Sequence, residues 1–511
     1  MTGGTLADDL RAAAAARPGH PAVVDAHRRV TYAELAREAG GLAAGLVGMG
    51  VRRGDRVALV LRNSVESAVA LYGAVLAGAA VVPLDATSPE ERLVHLLRHS
   101  GAAVVICDPA TAARVRPAAR VAGRTQVVVT DQAGPGDVAL TELTALLPHP
   151  GVPLLDVDLA AIIYTSGSTG VPKGATFLHR NVHFVTSSVL DYLGLVEDDR
   201  ILSVLPLSHT YGLYQLLMAV RLGATVVLQH GTALPGRLVQ AIDEHAITVL
   251  PGVPTLWAVL VSLHGLAERS LPTLRVLTNA GAALPPSRLA EVLRTFPRAQ
   301  LFSMYGQTEC KRVCYLPPEQ LERRPDSVGI PIPGTEVWVE REDGSEAAPG
   351  EVGELVVRGD HVMQGYWGDP EGTARKLVPG QHPGDRVLRT GDLFRRDDEG
   401  FLYFVARRDD IITTRGEKVA PLEVERVLCT APGVRDAAVV GVPDDLLGQR
   451  VVAHVSALPG HELQPAALRR HCAQHLEDAK VPAQVVLHEE LPRLGNGKID
   501  RLALAGGLAL R

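Results

Sequence analysis

Aromatic residues are scarce: Phe, Trp and Tyr make up 4% of the 511 positions. Ala, Gly, Val and Leu therefore do most of the filling. That favours α/β layers with small side chains where helices meet sheets. Cysteine is also rare. The five, Cys107, Cys310, Cys314, Cys429 and Cys472, are an odd, scattered set that forms no disulfide framework. Cys310 and Cys314 are spaced C-x3-C, but no second Cys/His pair stands near them, so a four-ligand zinc site is not expected. A reducing cytoplasm is the simplest setting for these thiols. Basic residues show no excess, with 51 Lys and Arg against 57 Asp and Glu. A net charge of −6 argues against a dominant footprint for nucleic acid. The opening MTGGTLADDLRAAAAARPG lacks the basic-then-apolar order of a secretory signal. One uncharged run, Ser67 to Leu84, approaches membrane-spanning length. Its Ser67, Gly73, Gly78, Pro83 and many alanines read instead as a buried helix followed by a buried strand. No membrane partner is expected.

What is present is alternation. Hydrophobic residues are 46% and charged residues 21%, a globular balance, and the length predicts two to four globular units. VRRGDRVALVLRN reads as turn then strand, SVESAVALYGAVLAGA as helix and AVVPL as strand. SPEERLVHLLRHSG opens like a helix and stops at Gly101, and AAVVICD is the next strand. The pattern returns at LGATVVLQ and LRVLTNAGAAL, so two parallel α/β sheet subdomains are predicted. From about Ser327 the texture changes to apolar–polar alternation between Gly and Pro turns, as in antiparallel strands. After Asp409 comes a compact tail with helix PLEVERVLCTA, strands DAAVVGVP and RVVAHVSAL, helix PAALRRHCAQHL and strand QVVLHEE. The stretch Pro109–Pro153, rich in Pro and Gly, carries little periodic signal.

The most unusual stretch is YTSGSTGVPKG, Tyr164 to Gly174. Backbone N–H groups of a Gly-rich turn can converge on phosphate oxygens. Thr165, Ser166, Ser168 and Thr169 add hydroxyls, and Lys173 adds a mobile cation suited to a polyphosphate. The G-x-x-x-x-G-K-[ST] pattern fails, because Pro172 precedes Lys173 and Gly174 follows it. Taken alone, the stretch fits a phosphate loop and a structural turn equally well.

Set beside the rest of the chain, this loop closely resembles the signature loop of adenylate-forming (ANL) enzymes. These are the acyl-CoA synthetases, stand-alone adenylation domains and luciferases. Further segments resemble the superfamily's motifs in order: VTYAELA (Val30–Ala36), AGAAVVPLDATSPEERL (Ala77–Leu93), PLSHTYG (Pro206–Gly212), NAGAAL (Asn279–Leu284), YGQTE (Tyr305–Glu309), TGD (Thr390–Asp392), RRDDIITTRGEKVAPLEVE (Arg407–Glu425) and PRLGNGKIDR (Pro492–Arg501). The resemblance spans nearly the whole chain. It implies a large N-terminal domain, residues 1–408, of two parallel α/β sheet subdomains plus a β-barrel-like subdomain. It also implies a small mobile α+β C-terminal domain, residues 409–511. The implied reaction joins a carboxylic acid to ATP as acyl-AMP with loss of pyrophosphate. A thiol then displaces AMP, either coenzyme A or the phosphopantetheine of an acyl or peptidyl carrier protein. Secondary metabolism is the implied setting.

The resemblance also implies roles. Thr165, Ser166, Gly167, Ser168, Thr169, Gly170 and Lys173 would hold the departing phosphates. Gly281, Ala282, Tyr305 and Gly306 would surround adenine, Asp392 and Arg407 would bind ribose, and Glu309 would hold Mg²⁺. Thr308 would touch the α-phosphate, and His209 would stand near the acyl carboxylate. Lys498 would bridge α-phosphate and carboxylate, offsetting the repulsion of two anions. Asp409 matches the hinge, and Gly416 would line the thiol channel, where a pantetheine arm needs close approach to backbone. Without the family, Asp392 would read as a turn cap, Tyr305 as core and Lys498 as a solvated lysine.

Departures from the pattern are few. Ala406 replaces the usual Gly before Arg407, a mild change, and Arg415-Gly416 favours a carrier protein over coenzyme A as acceptor. TYGLYQLL after His209 has no acidic residue to hold an α-amine, which favours an acyl or aryl acid. The alternative is an imino- or β-amino-acid adenylation enzyme loading a carrier protein. Lys311 and Arg312, directly after Glu309, are expected to face solvent rather than a polar substrate. A catalytically weak regulatory homologue is disfavoured by the intact Lys173, Glu309, Asp392 and Lys498.

Overall fold

The structure is a computed structural model and describes residues 4–123, 125–165, 172–230, 235–269, 271–414, 417–444, 447–493 and 499–506. Two large sheets carry the first two-thirds of the chain. One has eight strands in the order Gly365–Tyr366, Lys173–Leu178, Leu159–Thr165, Ala80–Pro83, Arg56–Val60, Val104–Cys107, Gln126–Val129 and Val138–Ala139. The other has nine, with Gln300–Tyr305, Val276–Asn279, Val249–Gly252, Arg200–Ser203, Thr225–Leu228 and Pro21–Val24 as its parallel centre. The predicted alternation is present, but neither sheet is wholly parallel. Leu159–Thr165 and Lys173–Leu178 pair antiparallel. The stretch 166–172 between them is too short for a parallel crossover, which needs about a dozen residues.

Between the sheets runs one continuous apolar cluster. It joins Val57, Leu59 and Val81 of the first sheet to Val226, Val249 and Val276 of the second through helices Leu6–Ala16, Tyr32–Gly48, Val65–Leu76 and Thr210–Leu222. Small residues permit this closeness: a Cβ on Gly73 would sit 2.5 Å from Leu42 Cδ2. Tyr32 satisfies its buried hydroxyl by donating to the carbonyls of Ala219 and Ala224, at 3.0 and 2.6 Å. The uncharged run Ser67 to Leu84 is the buried helix Val65–Leu76 followed by the buried strand Ala80–Pro83. No helix among the described residues is long and apolar enough to cross a membrane. The stretch 109–153 is more regular than its composition suggests. Asp108 caps helix Pro109–Ala122, which tolerates Pro117, and two short strands and a short helix follow.

A third, antiparallel sheet contains Glu336–Glu340, Val352–Arg358, Arg386–Arg396, Leu377–Pro379 and Leu402–Arg407. The tail forms its own sheet, centred on the long pair Val434–Asp444 and Gly448–Ala457 and backed by helices Pro421–Thr430 and Pro465–His475. Its apolar cores use residues 412–504 alone. Lys418 to Glu342 (3.1 Å) and Arg426 to Asp326 (3.6 Å) bind it to the larger body.

His179 fastens the first helix to this body. It is 1% exposed, and its Nδ1 accepts from the Leu6 N–H at 3.3 Å. Burial pulls its pKa down to about 4 from 6.5. Below pH 6.5 the unfolded chain takes up a proton that the folded protein refuses, so stability falls as pH drops from 6.5 toward 4. The loss is roughly 2 kcal/mol by pH 5. Urea midpoints measured at pH 7 and pH 5 check this. His179→Gln keeps an acceptor without titrating, so its midpoint should fall less than that of wild type. An equal fall in both proteins would remove His179 as the cause.

Candidate nucleotide and acid site

Leu159–Thr165 and Lys173–Leu178, the strands that flank the Gly-rich stretch in sequence, pair as an antiparallel hairpin with Thr165 opposite Lys173. Ser166, Gly167, Ser168, Thr169 and Gly170 lie outside the described residues, as do Gly416 and Lys498. The short strand Gly365–Tyr366 is laid against Lys173–Leu178, pairing Gly365 with Thr176 and Tyr366 with Ala175. Lys173 Nζ thereby stands 5.0 Å from the centre of the Tyr366 ring and 3.6 Å from Asp369 Oδ2. The Tyr366 hydroxyl donates to Glu309 Oε1 at 2.7 Å. Burial and the Glu309 carboxylate push this phenol well above its usual pKa, so it remains a donor. One ring thus separates the cation of the hairpin from the carboxylate of YGQTE. Sequence reading missed Tyr366, because only long-range pairing brings it there.

Glu309 and Thr308 sit on a tight loop. A Cβ on Gly306 would lie 1.7 Å from the carbonyl oxygen of Lys311, so only glycine fits. The Lys311 N–H donates back to Gln307 O, the Val313 N–H donates to Tyr305 O, and Lys311 adopts φ +58°. This loop overturns the expectation of solvent-facing cations. Lys311 is 3% exposed, with Nζ 3.2 Å from the centre of the Phe177 ring. Arg312 is 9% exposed and lies 4.4 Å from the centre of the Tyr211 ring. The turn aims both side chains inward, and the only outward hint in the sequence is their place just before the buried strand Cys314–Leu316. Burial holds the Lys311 ammonium well below its usual pKa.

Asp392, 3% exposed, lies on strand Arg386–Arg396 opposite Arg407. Its Oδ2 accepts from Tyr305 Oη at 2.6 Å and from Gln307 Nε2 at 2.7 Å. Among the described residues its Oδ1 faces only Arg407 Nε, at 3.4 Å. A carboxylate oxygen has about two lone-pair sites, so Oδ1 has room for further donors and Oδ2 does not. Phe394 packs edge-on against the Tyr305 ring, with centroids 4.9 Å apart. Burial and Asp392 hold the Tyr305 phenol protonated, well above its usual pKa.

The NAGAAL turn is held by Asn279. It accepts from Trp257 Nε1 at 3.2 Å and donates to the Ala282 carbonyl at 3.0 Å. Gly281 has φ +91°, the left-handed region that favours glycine, and Gly281 and Ala282 are exposed. His209 caps helix Thr210–Leu222, with Nε2 4.0 Å from Asp85 Oδ2. Asp409 lies in the exposed single turn Arg408–Asp410 that joins the third sheet to the tail. The structure therefore gathers Lys173 and Glu309 about Tyr366, and Tyr305, Asp392 and Arg407 about one carboxylate.

Two mixed α/β sheets, a β subdomain and a small terminal unit, with Lys173 and Glu309 on either side of one ring, are the architecture that the resemblance to adenylate-forming enzymes implies. Comparison with known proteins agrees. The AMP-binding enzyme model matches residues 10–367, and the AMP-binding enzyme C-terminal domain model matches residues 423–498. A feruloyl-CoA synthase of Amycolatopsis sp is 35% identical over 92% of both chains. An L-proline–[L-prolyl-carrier protein] ligase of Pseudomonas fluorescens is 32% identical over 96% of both. The crystal structure of ATP-bound MatB from Rhodopseudomonas palustris superposes with TM-score 0.88 at 28% identity, covering 99% of both chains. The chain belongs to the AMP-binding, adenylate-forming (ANL) family and is an ATP-using, AMP-forming acid–thiol ligase of the CoA-ligase type.

Asp392→Asn keeps the size and one acceptor but removes the charge. Hydrogen bonds to charged groups are worth about 1.5–3 kcal/mol. The variant is therefore expected to weaken ATP binding by about tenfold or more, read by isothermal titration calorimetry. A Kd within twofold of wild type would take Asp392 out of the nucleotide site.

Proposed function

We propose that this ligase activates an acyl or aryl carboxylic acid, and that the residues gathered above divide the work by charge. The observation that carries the reading is the Tyr366 ring, with Lys173 against it and Glu309 hydrogen-bonded to its hydroxyl. This arrangement suits a polyphosphate whose leaving end meets the lysine. Lys173, with Thr165, Ser166, Gly167, Ser168, Thr169 and Gly170, binds the β- and γ-phosphates. Asp392 Oδ1 accepts from ribose, Arg407 flanks it, and Tyr305, Gly306, Gly281 and Ala282 border adenine. The Thr308 hydroxyl meets the α-phosphate. His209 stands near the acid's carboxylate, and Lys498 bridges that carboxylate and the α-phosphate, so that the two anions approach.

The donors present suit Mg²⁺. Among the described residues no cluster of three His, Cys, Asp or Glu could hold a metal. Mg²⁺ needs only one or two carboxylates beside phosphate oxygens, and Tyr366 engages just one oxygen of Glu309. Bound there, Mg²⁺ would supply charge neutralisation on the phosphates. Residues 1–408 and 409–511 act as two domains about a hinge at Asp409. The tail's separate cores, joined to the body among the described residues by the ion pairs of Lys418 and Arg426, support this division. Turning about Asp409 withdraws Lys498 and brings Gly416 to the thiol.

Coenzyme A and a carrier protein remain the two acceptors. The absence of an acidic side chain in helix Thr210–Leu222 favours an acyl or aryl acid over an α-amino acid. The likeness to a prolyl-carrier ligase and the Arg415-Gly416 pair favour a carrier, and so carry the second reading, an imino- or β-amino-acid adenylation enzyme. Pyrophosphate exchange across acids and amino acids separates the two, and exchange with amino acids alone would reverse the choice. Lys498→Ala is expected to slow adenylate formation by about 10²-fold or more, the scale seen for losing one transition-state donor. Adenylate formation at the wild-type rate would remove Lys498 from the mechanism.

A further inference from the structure

The segment after Glu309 sends two cations inward, and no acid accompanies them. Arg312 forms no ion pair among the described residues, and its buried Nε has no hydrogen-bond partner there. The Tyr214 hydroxyl, buried and within the field of Arg312, also has none. Neither has Lys311 Nζ, 5.8 Å from the centre of the Tyr214 ring. These three groups are donors. Helix Thr210–Leu222, which carries Tyr211 and Tyr214, contributes no carboxylate.

Withdrawing a guanidinium from water costs several kcal/mol. Stacking on Tyr211 returns about 0.5–2 kcal/mol. A permanent charge left in this state is completed by an incoming anion. The triphosphate has its own cation in Lys173, on the hairpin. Arg312 lies elsewhere. Tyr211 follows His209 by two residues, and its hydroxyl donates to the Thr278 carbonyl at 2.8 Å. Thr278 adjoins Asn279, which holds the Gly281–Ala282 turn. Arg312 thus stacks on the ring that links the His209 helix to the strand leading into that turn, the side proposed above to take the acid.

We propose that Arg312, with Tyr214 Oη as a second donor, forms a subsite for an anionic oxygen group at the far end of the acid. Carboxylate and sulfonate share the required chemistry, and the end that is adenylated is the other one. The inference rests on the acid-activating reading above and narrows its substrate to acids with a charged tail.

Matched acids test it by pyrophosphate release at saturating Mg-ATP. Glutarate is paired with 5-methylhexanoate, and 4-carboxybenzoate with 4-isopropylbenzoate, so that shape is nearly constant while charge changes. Wild type is expected to prefer the charged member by about tenfold or more in kcat/KM, the scale of a charge-assisted hydrogen bond. Arg312→Gln should shrink that ratio by about tenfold, chiefly through KM, while Arg312→Lys keeps an intermediate ratio. A purely structural role would lower both members alike and leave the ratio unmoved, which would overturn the subsite. So would a wild-type enzyme that takes the alkyl acids equally well, although the ligase reading would then stand. No release with any acid, from a folded protein that binds ATP, would sink both.

Discussion

A phenol between two opposite charges organises this site. If the Lys173 ammonium and the Glu309 carboxylate met directly, each would neutralise the other and neither would be available to a polyphosphate. Tyr366 prevents that meeting. It offers its face to the lysine, a weak contact, and its hydroxyl to the carboxylate, a charge-assisted hydrogen bond. The placement depends on strand Gly365–Tyr366, whose two-residue pairing with Lys173–Leu178 is reinforced by Thr176 Oγ1 donating to Gly365 O at 2.8 Å. The Trp367 N–H donates to Gly174 O at 2.7 Å and extends the same seam. A short edge strand therefore ties the hairpin to YGQTE across a large distance in sequence.

The loop after Tyr305 meets a second constraint. Its turn is so tight that Gly306 faces the Lys311 carbonyl with no room for a side chain. The same tightness sends Lys311 and Arg312 into the interior instead of over the surface. Glu309 and the buried cations are thus two products of one backbone path. The Glu309 carbonyl accepts from the Met363 N–H at 2.8 Å, which joins the loop to the segment leading to Tyr366. Changes in that path would be felt at Glu309 and at Arg312 together.

The alternation of strands and helices was legible because period and length are local. Ser67 to Leu84 resolves into helix and strand on those grounds alone. The antiparallel hairpin was less so: its strands look like any buried strands, and only the shortness of the stretch 166–172 dictates their direction. Asp392, Tyr305, Glu309 and Lys173 were found through a resemblance of motifs, not through chemistry visible in isolation. Tyr366 carried no local signal, since its role comes from a pairing with Ala175. Lys311 and Arg312 were misread because surface frequency describes an average lysine or arginine. A positive φ and a following buried strand set these two apart.

These constraints give the site a gradient of charge compensation. At the hairpin, Lys173 already has Asp369 and a ring face, so its charge is shared and can be exchanged for phosphate. At Asp392, Tyr305 and Gln307 fix one oxygen while the other keeps capacity for a neutral hydroxyl. At Arg312, a ring face is the main compensation and no anion is provided. The least compensated group is also buried, and there desolvation makes a missing partner costly. A site built this way discriminates by what an incoming molecule completes. On the reading proposed above, the nucleotide end would exchange partners that are already present, whereas the acid end would wait for one that the described residues do not supply.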